Sequence, residues 1–297
     1  MKKRSLWKRI DKMPLFFILP AFVCYVGFII IPSLGSIQLS FTNWDGLQQT
    51  AKYIGFDNYI EIFSSRRFMN ALWNTLFLTL MVSVVENVLA LALAVALDKV
   101  RWFKNGFRAM FYIPVLISGI VSGFIWVTMY NWNFGIINSV LNDAGLGSLA
   151  VNWIGDPKMV LYSLIIVLVW KGVGYYMVIY LAGLQGIPKD CLESASIDGA
   201  NPWQTFWRIT FPLMAASLTV NFTLSLINGL KIFDQIAVMT NGGPGFSSET
   251  ITYLIYKVAF NEGRRGFGTA LAVVLFIIIF VLNSVQSRVL RRREVQL

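Results

Sequence analysis

The chain has 297 residues, of which 56% are hydrophobic and only 13% charged, with 25 Lys or Arg against 15 Asp or Glu and no histidine. Mean hydropathy is +0.63. A soluble domain carries about a quarter charged residues, so most of this surface is expected to face lipid, and the lack of histidine removes the commonest metal ligand and general base.

A spanning helix needs roughly 20 mostly apolar residues. Six stretches qualify, at about 14–37, 71–97, 107–130, 160–185, 211–233 and 268–290. Residues 1–13 read as a basic cytoplasmic tail with Lys2, Lys3, Arg4, Lys8 and Arg9. The apolar run that follows is longer than a signal-peptide core and has no small-residue cleavage site, so 14–37 is expected to stay as a first transmembrane helix. With both termini inside, sixteen of the 25 basic residues fall on the cytoplasmic side and seven outside. The net charge of +10 therefore reads as orientation by the positive-inside rule rather than as a nucleic-acid footprint. Cys24 and Cys191 fall in the first span and a cytosolic loop, an arrangement that suits neither a disulfide nor a metal site. There is no Gly-Lys dipeptide and hence no P-loop, and no Gly-x-Ser-x-Gly.

The outer loops, 38–70, 131–159 and 234–267, are rich in Trp, Asn and Gly. Trp and Tyr near span ends suit the membrane interface as well as partner contact. Gly242-Gly243-Pro244-Gly245 lacks a following Lys and reads as a tight turn, because Gly supplies positive φ and Pro fixes the neighbouring torsion.

The cytosolic loop 186–210 is unusual. Pro188 suits the first turn of a helix expected over 189–197, and Gly199 suits the left-handed residue that ends it. Asn201-Pro202 reads as the cap and first position of a second helix carrying Trp203, Phe206 and Trp207 on one side. Glu193 and Asp198 place acidic groups where the orientation rule favours basic ones. Physics alone leaves two readings open, an interfacial amphipathic hairpin or a rigid docking knob.

The pattern Glu193-Ser194-Ala195, three residues, Gly199, nine residues, then Ile209-x-Phe211-Pro212 resembles the EAA motif of binding-protein-dependent ABC importer permeases. Ser194 replaces the second alanine and Phe211 the usual leucine. Further segments, among them Ser40-Phe41-Thr42-Asn43-Trp44, Asn74-Thr75 and Gly242-Gly243-Pro244, are similar to permeases of the maltose and glycerol-phosphate importers, in particular the permease of the pair that carries the Gly-Gly-Pro loop. The resemblance implies an all-α integral membrane protein of six transmembrane helices with the MetI-like type I ABC importer permease fold, its permease domain over 71–290. It implies a multi-pass protein of a prokaryotic cytoplasmic (inner) membrane. The partners implied are a second homologous permease in a heterodimer, two ATP-binding-cassette ATPase subunits, an extracytoplasmic solute-binding protein, a sugar substrate and lipid, with no nucleic acid. No cofactor is expected on this chain, since ATP and Mg belong to the ATPase. The coupling residues would be Glu193, Ser194, Ala195, Asp198 and Gly199, with Glu193 the polar anchor and Gly199 the turn.

Ser217, Asn221, Ser225 and Asn228 recur on one face of the fifth span. Their amides and hydroxyls suit sugar hydroxyls, with interhelical hydrogen bonding as the alternative, and Ser225 and Asn228 are the favoured path residues. In the fourth span, Lys171, Gly172 and Tyr175 interrupt an apolar run. A buried charge there costs at least ~2.5–3.5 kcal/mol, so Lys171 is expected to meet a partner, with Glu86 the first choice, or to read an anionic substrate. A secondary transporter would be expected to show an inverted repeat, which is not evident. An intramembrane enzyme lacks a nucleophile–base pair.

Overall fold

The computed structural model describes residues 12–47, 51–100 and 102–292, so most of the basic 1–13 tail lies outside the described residues. In chain order the helices are α1 Phe17–Leu39, α2 Asp57–Ser64, α3 Arg66–Lys99, α4 Lys104–Leu116, α5 Gly119–Met129, α6 Ile136–Asp143, α7 Val160–Gln185, α8 Lys189–Ile197, α9 Pro202–Leu213, α10 Ala215–Leu230, α11 Ile251–Tyr256 and α12 Arg265–Arg291. Among the described residues the only β pairing is an isolated bridge between Thr42 and Tyr53. α1, α3, α7 and α12 are each long and apolar enough to cross a membrane, and the pairs α4–α5 and α9–α10 bring the number to six if each bent pair is one span.

The third and fifth spans differ from the continuous helices expected at 107–130 and 211–233. α4 and α5 meet at 95°. Pro114 in the last turn of α4 removes a backbone donor, Ile117 is extended, and the Ser118 side chain caps the new helix at Val121 N–H. α9 and α10 meet at 66° around Met214, which follows Pro212. The short helices α2, α6 and α11 lie in the outer loops, which also hold helical turns at Gly147–Leu149, Ile236–Thr240 and Lys257–Asn261.

α3 is the centre of the bundle. Ser65 caps it by accepting from Phe68 N–H at 3.3 Å. Its buried residues include Ala71, Leu78, Val82, Glu86, Ala90, Ala94 and Leu97, a three-to-four spacing that keeps one face inward. That face packs on α7 and α10. The close crossing of α4 over α7 depends on Gly174, where a Cβ would run into the Phe111 carbonyl. In lipid the hydrophobic effect does not drive helices together, so close packing and interhelical hydrogen bonds hold this core.

α1 stands apart. None of its most apolar window is buried, and its end at Ile31–Leu39 packs on α12. Beyond it the outer segments are tied to the bundle. Asn58 Nδ2 donates to the carbonyls of Ser40 and Thr42 at 2.8 and 2.9 Å. Gly266 N–H donates to Trp44 O at 2.7 Å, and Arg264 pairs with Glu61 at 2.6 Å. The Gly-Gly-Pro segment forms a turn, with Gly242 at φ +78 and Gly245 at φ +57. Arg67 grips the segment after it, donating to both oxygens of the buried Glu249 at 2.7 Å.

Candidate functional site

Two features stand out, a polar cavity inside the bundle and an exposed helical knob at one end of it. The cavity measures about 480 Å³ and lies between α3, α7, α10 and the α4–α5 elbow. Lys171, Gly172, Tyr175, Ser225 and Asn228, the five expected path residues, all line it, as does Glu86. Lys231, Asp234 and Tyr176 also line it.

The expected Glu86–Lys171 ion pair is not formed; the two share the cavity wall but are not among the ion pairs of the described residues. The register of α7 explains this. Gly172 is the position that abuts the Glu86 carboxyl. Lys171 lies one residue, about 100°, around the helix, and its Nζ donates to Val115 O at 3.5 Å. Gly172 is required here by contact, since a Cβ would meet Glu86 Oε1.

The polar face of α10 divides in two. Asn221 is fully buried and its Nδ2 donates to Tyr176 O at 3.0 Å, an interhelical bond. Ser217 packs against Gly183. Ser225 lines the cavity but is also engaged, accepting from Asn87 Nδ2 at 3.1 Å. Asn228 is exposed to the cavity and donates to the Tyr176 hydroxyl at 3.3 Å. Below it the Tyr180 hydroxyl donates to Asn87 Oδ1 at 2.6 Å, so Asn87 joins α3, α7 and α10. Sequence reasoning passed over Asn87, although Ser83 and Asn87 are four apart on α3, the spacing of a polar face.

The knob is α8 with the turn after it. α8 spans Lys189–Ile197, the expected range. Gly199 has φ +76, and the chain leaves the helix in a Schellman motif, with Ala200 N–H donating to Ala195 O at 3.0 Å and Gly199 N–H to Ser196 O at 3.2 Å. Asn201 and Gln204 form a reciprocal capping box at 2.9 Å in each direction. Trp203, Phe206, Trp207 and Phe211 pack against one another edge-to-face or tilted, and so brace α9. Ala195 faces inward at 4% exposure, whereas Glu193, Ser194, Ile197, Asp198 and Gly199 face outward. Ile197 is 85% exposed, an apolar side chain held out on a rigid turn.

An open cavity between membrane helices that carries charged, amide and hydroxyl side chains, with a stiff exposed knob on the same bundle, suits a transport permease. The family model described as binding-protein-dependent transport system inner membrane component matches residues 86–295. The chain belongs to this family, the permeases of ABC importers. It is 35% identical to the probable starch degradation products transport system permease protein of Thermoanaerobacterium thermosulfurigenes, over 95% of this chain and 94% of that one. It is 33% identical to the trehalose/maltose transport system permease protein of Thermococcus litoralis, over 95% of each. Its fold matches a chain of a bacterial alginate ABC transporter, solved in complex with an alginate pentasaccharide-bound periplasmic protein, with TM-score 0.83 and 26% identity over 97% of this chain and 98% of that one.

Proposed function

We propose that this chain is a non-catalytic permease subunit through which an ABC importer carries a carbohydrate, and that the cavity lies on the path. The observation that supports it most is the convergence of Lys171, Gly172, Tyr175, Ser225 and Asn228 on one cavity inside a bundle of this family. Amides, hydroxyls and an aromatic ring suit a polyhydroxylated solute. The curated relatives named above carry starch degradation products and trehalose or maltose in their descriptions.

In this reading a second permease completes the path, two ATPase subunits bind ATP and Mg on the cytosolic side, and a solute-binding protein delivers sugar from outside. The membrane is the cytoplasmic membrane of a prokaryote, with both termini inside. Glu193, Ser194, Asp198 and Gly199 form the surface that meets the ATPase, with Ala195 seating α8 on the bundle. A capped, exposed, rigid knob suits the transmission of ATPase closure as a rigid-body movement of helices. The test is uptake of radiolabelled maltotriose, trehalose and an alginate oligosaccharide into proteoliposomes, with each component omitted in turn. Uptake of at least one sugar that needs every component is expected. Uptake by this chain alone, driven by an ion gradient, would overturn the proposal.

A further inference from the structure

Phe233 follows the outer end of α10 and forms part of the cavity wall. Its ring is the first of a row. It packs against Tyr256 with 5.4 Å between ring centroids, and Tyr256 packs against Phe260 at 5.7 Å. Phe233 is partly buried, Tyr256 is 40% exposed and Phe260 is 68% exposed. The row therefore becomes more open as it leaves the cavity.

Helical spacing builds it. α11 and the helical turn Lys257–Asn261 that continues it set residues 256 and 260 four apart, on one face. The start of this segment is tied to the cavity wall. The Thr250 hydroxyl donates to Ile232 O at 3.1 Å, and the Thr252 hydroxyl to Leu230 O at 3.4 Å. From there the chain runs outward to the beginning of α12. The row thus starts at the depth of the cavity and ends in the outer loop.

Aromatic rings at a membrane surface commonly serve as interfacial anchors. Trp73, Phe77 and Tyr162 form a chain of that kind at the outer ends of α3 and α7, and among the described residues none of the three lines the cavity. The Phe233 row differs because it is continuous with the cavity. An aromatic face can take the C–H face of a sugar ring while the sugar hydroxyls stay in water. At the inner end of the row, the Asn228 amide, also in the cavity wall, suits those hydroxyls.

We propose that Phe260, Tyr256 and Phe233 form an entry lane, a row of stacking platforms along which a sugar released outside passes into the cavity. The spacing of the rings is about the width of one pyranose, so a sugar reaches the next platform before it leaves the last. This inference rests on the carbohydrate reading of the same cavity.

The experiment uses the complete importer in proteoliposomes, with both permeases, ATPase and saturating loaded binding protein, and measures uptake of maltotriose, trehalose and an alginate oligosaccharide beside ATP hydrolysis. Tyr256→Ala and Phe260→Ala are each expected to lower uptake of the carried sugar about three- to tenfold, the loss of one aromatic contact. Stimulated hydrolysis should stay within about twofold of wild type, so that fewer sugars enter per ATP; a misfolded bundle would lose both. Tyr256→Phe, which keeps the ring, and Trp73→Ala, outside the row, should carry sugar at close to the wild-type rate. Should Tyr256→Ala fail to assemble, Phe260→Ala, which trims a mostly exposed side chain, carries the test. Uptake within about twofold of wild type in the assembled alanine variants would overturn the inference. So would an equal loss in Tyr256→Phe or Trp73→Ala. Hydrolysis falling in step with uptake would overturn it too, since the row would then be a contact for the binding protein. Each of these results leaves the carbohydrate reading standing. Uptake of no member of the panel by the wild type would overturn that reading and the inference with it.

Discussion

One arginine in the outer half of the protein meets two carboxylates at the same distance and gives a sharp test of how burial sets the strength of an ion pair. Arg67 lies 2.7 Å from Glu249 and 2.7 Å from Glu262, but the Glu249 side chain is 1% exposed and that of Glu262 37%. The contact with Glu249 is bidentate, through Nε and Nη2. Breaking a buried pair by removing one partner costs ~3–5 kcal/mol, because an uncompensated charge is left behind. The Arg67 side chain is 26% exposed, so water reaches part of the site. Arg67→Ala is therefore expected to destabilise by about 2–3 kcal/mol. Glu262→Gln removes an exposed pair and should cost ~0–1 kcal/mol. In the double variant Arg67→Ala, Glu249→Gln the buried charge is gone too, and part of the loss, about 1 kcal/mol, should return. The assay is thermal unfolding of the detergent-purified importer followed by tryptophan fluorescence, together with limited proteolysis of the 240–250 segment that Glu249 anchors. Glu249→Gln costing no more than Glu262→Gln would refute the reasoning, since distance alone would then set the energy.

Other outcomes follow from single contacts. Gly199→Ala forces a Cβ into φ +76, at a cost of roughly 1–2 kcal/mol, and should lower ATP hydrolysis stimulated by the binding protein without loss of the bundle, read by the same unfolding assay. Tyr180→Phe leaves Asn87 Oδ1 without its 2.6 Å donor and should destabilise by about 1–3 kcal/mol, whereas an unchanged melting curve would show that Asn87 has another donor. Gly174→Val drives a side chain into the Phe111 carbonyl and should abolish assembly, measured by co-purification with the second permease; normal assembly would show that α4 can move away from α7.

Much of the fold was legible because lipid imposes a simple rule. Long apolar runs must be helical, so four of the spans are found close to their expected ends. The α8 knob was legible to the residue, because Pro188, Gly199 and Asn201-Pro202 are local signals that act on their own backbone. The 95° elbow at Ile117-Ser118 was not, since Pro114 is tolerated inside many membrane helices and only the packing of α4 on α7 decides where the chain turns. The cavity residues on α7 and α10 stood out as polar groups in apolar runs. Their division into buried and cavity-facing groups did not. Asn221 carries the same amide as Asn228 and both bond to Tyr176, but Asn221 is fully buried whereas Asn228 is exposed to the cavity. The expected Glu86–Lys171 pair failed for a similar reason, a matter of one residue of helical phase.

The central claim is that this permease is driven through α8. The most direct measurement follows sugar uptake and ATP hydrolysis together in proteoliposomes holding the complete importer, with Glu193→Ala and Gly199→Pro combined in α8 and its turn. The account predicts that both permeases still reach the membrane while uptake is lost and hydrolysis no longer responds to the loaded binding protein. Uptake at the wild-type rate in this variant, or uptake that persists on an ion gradient with the ATPase absent, would contradict it.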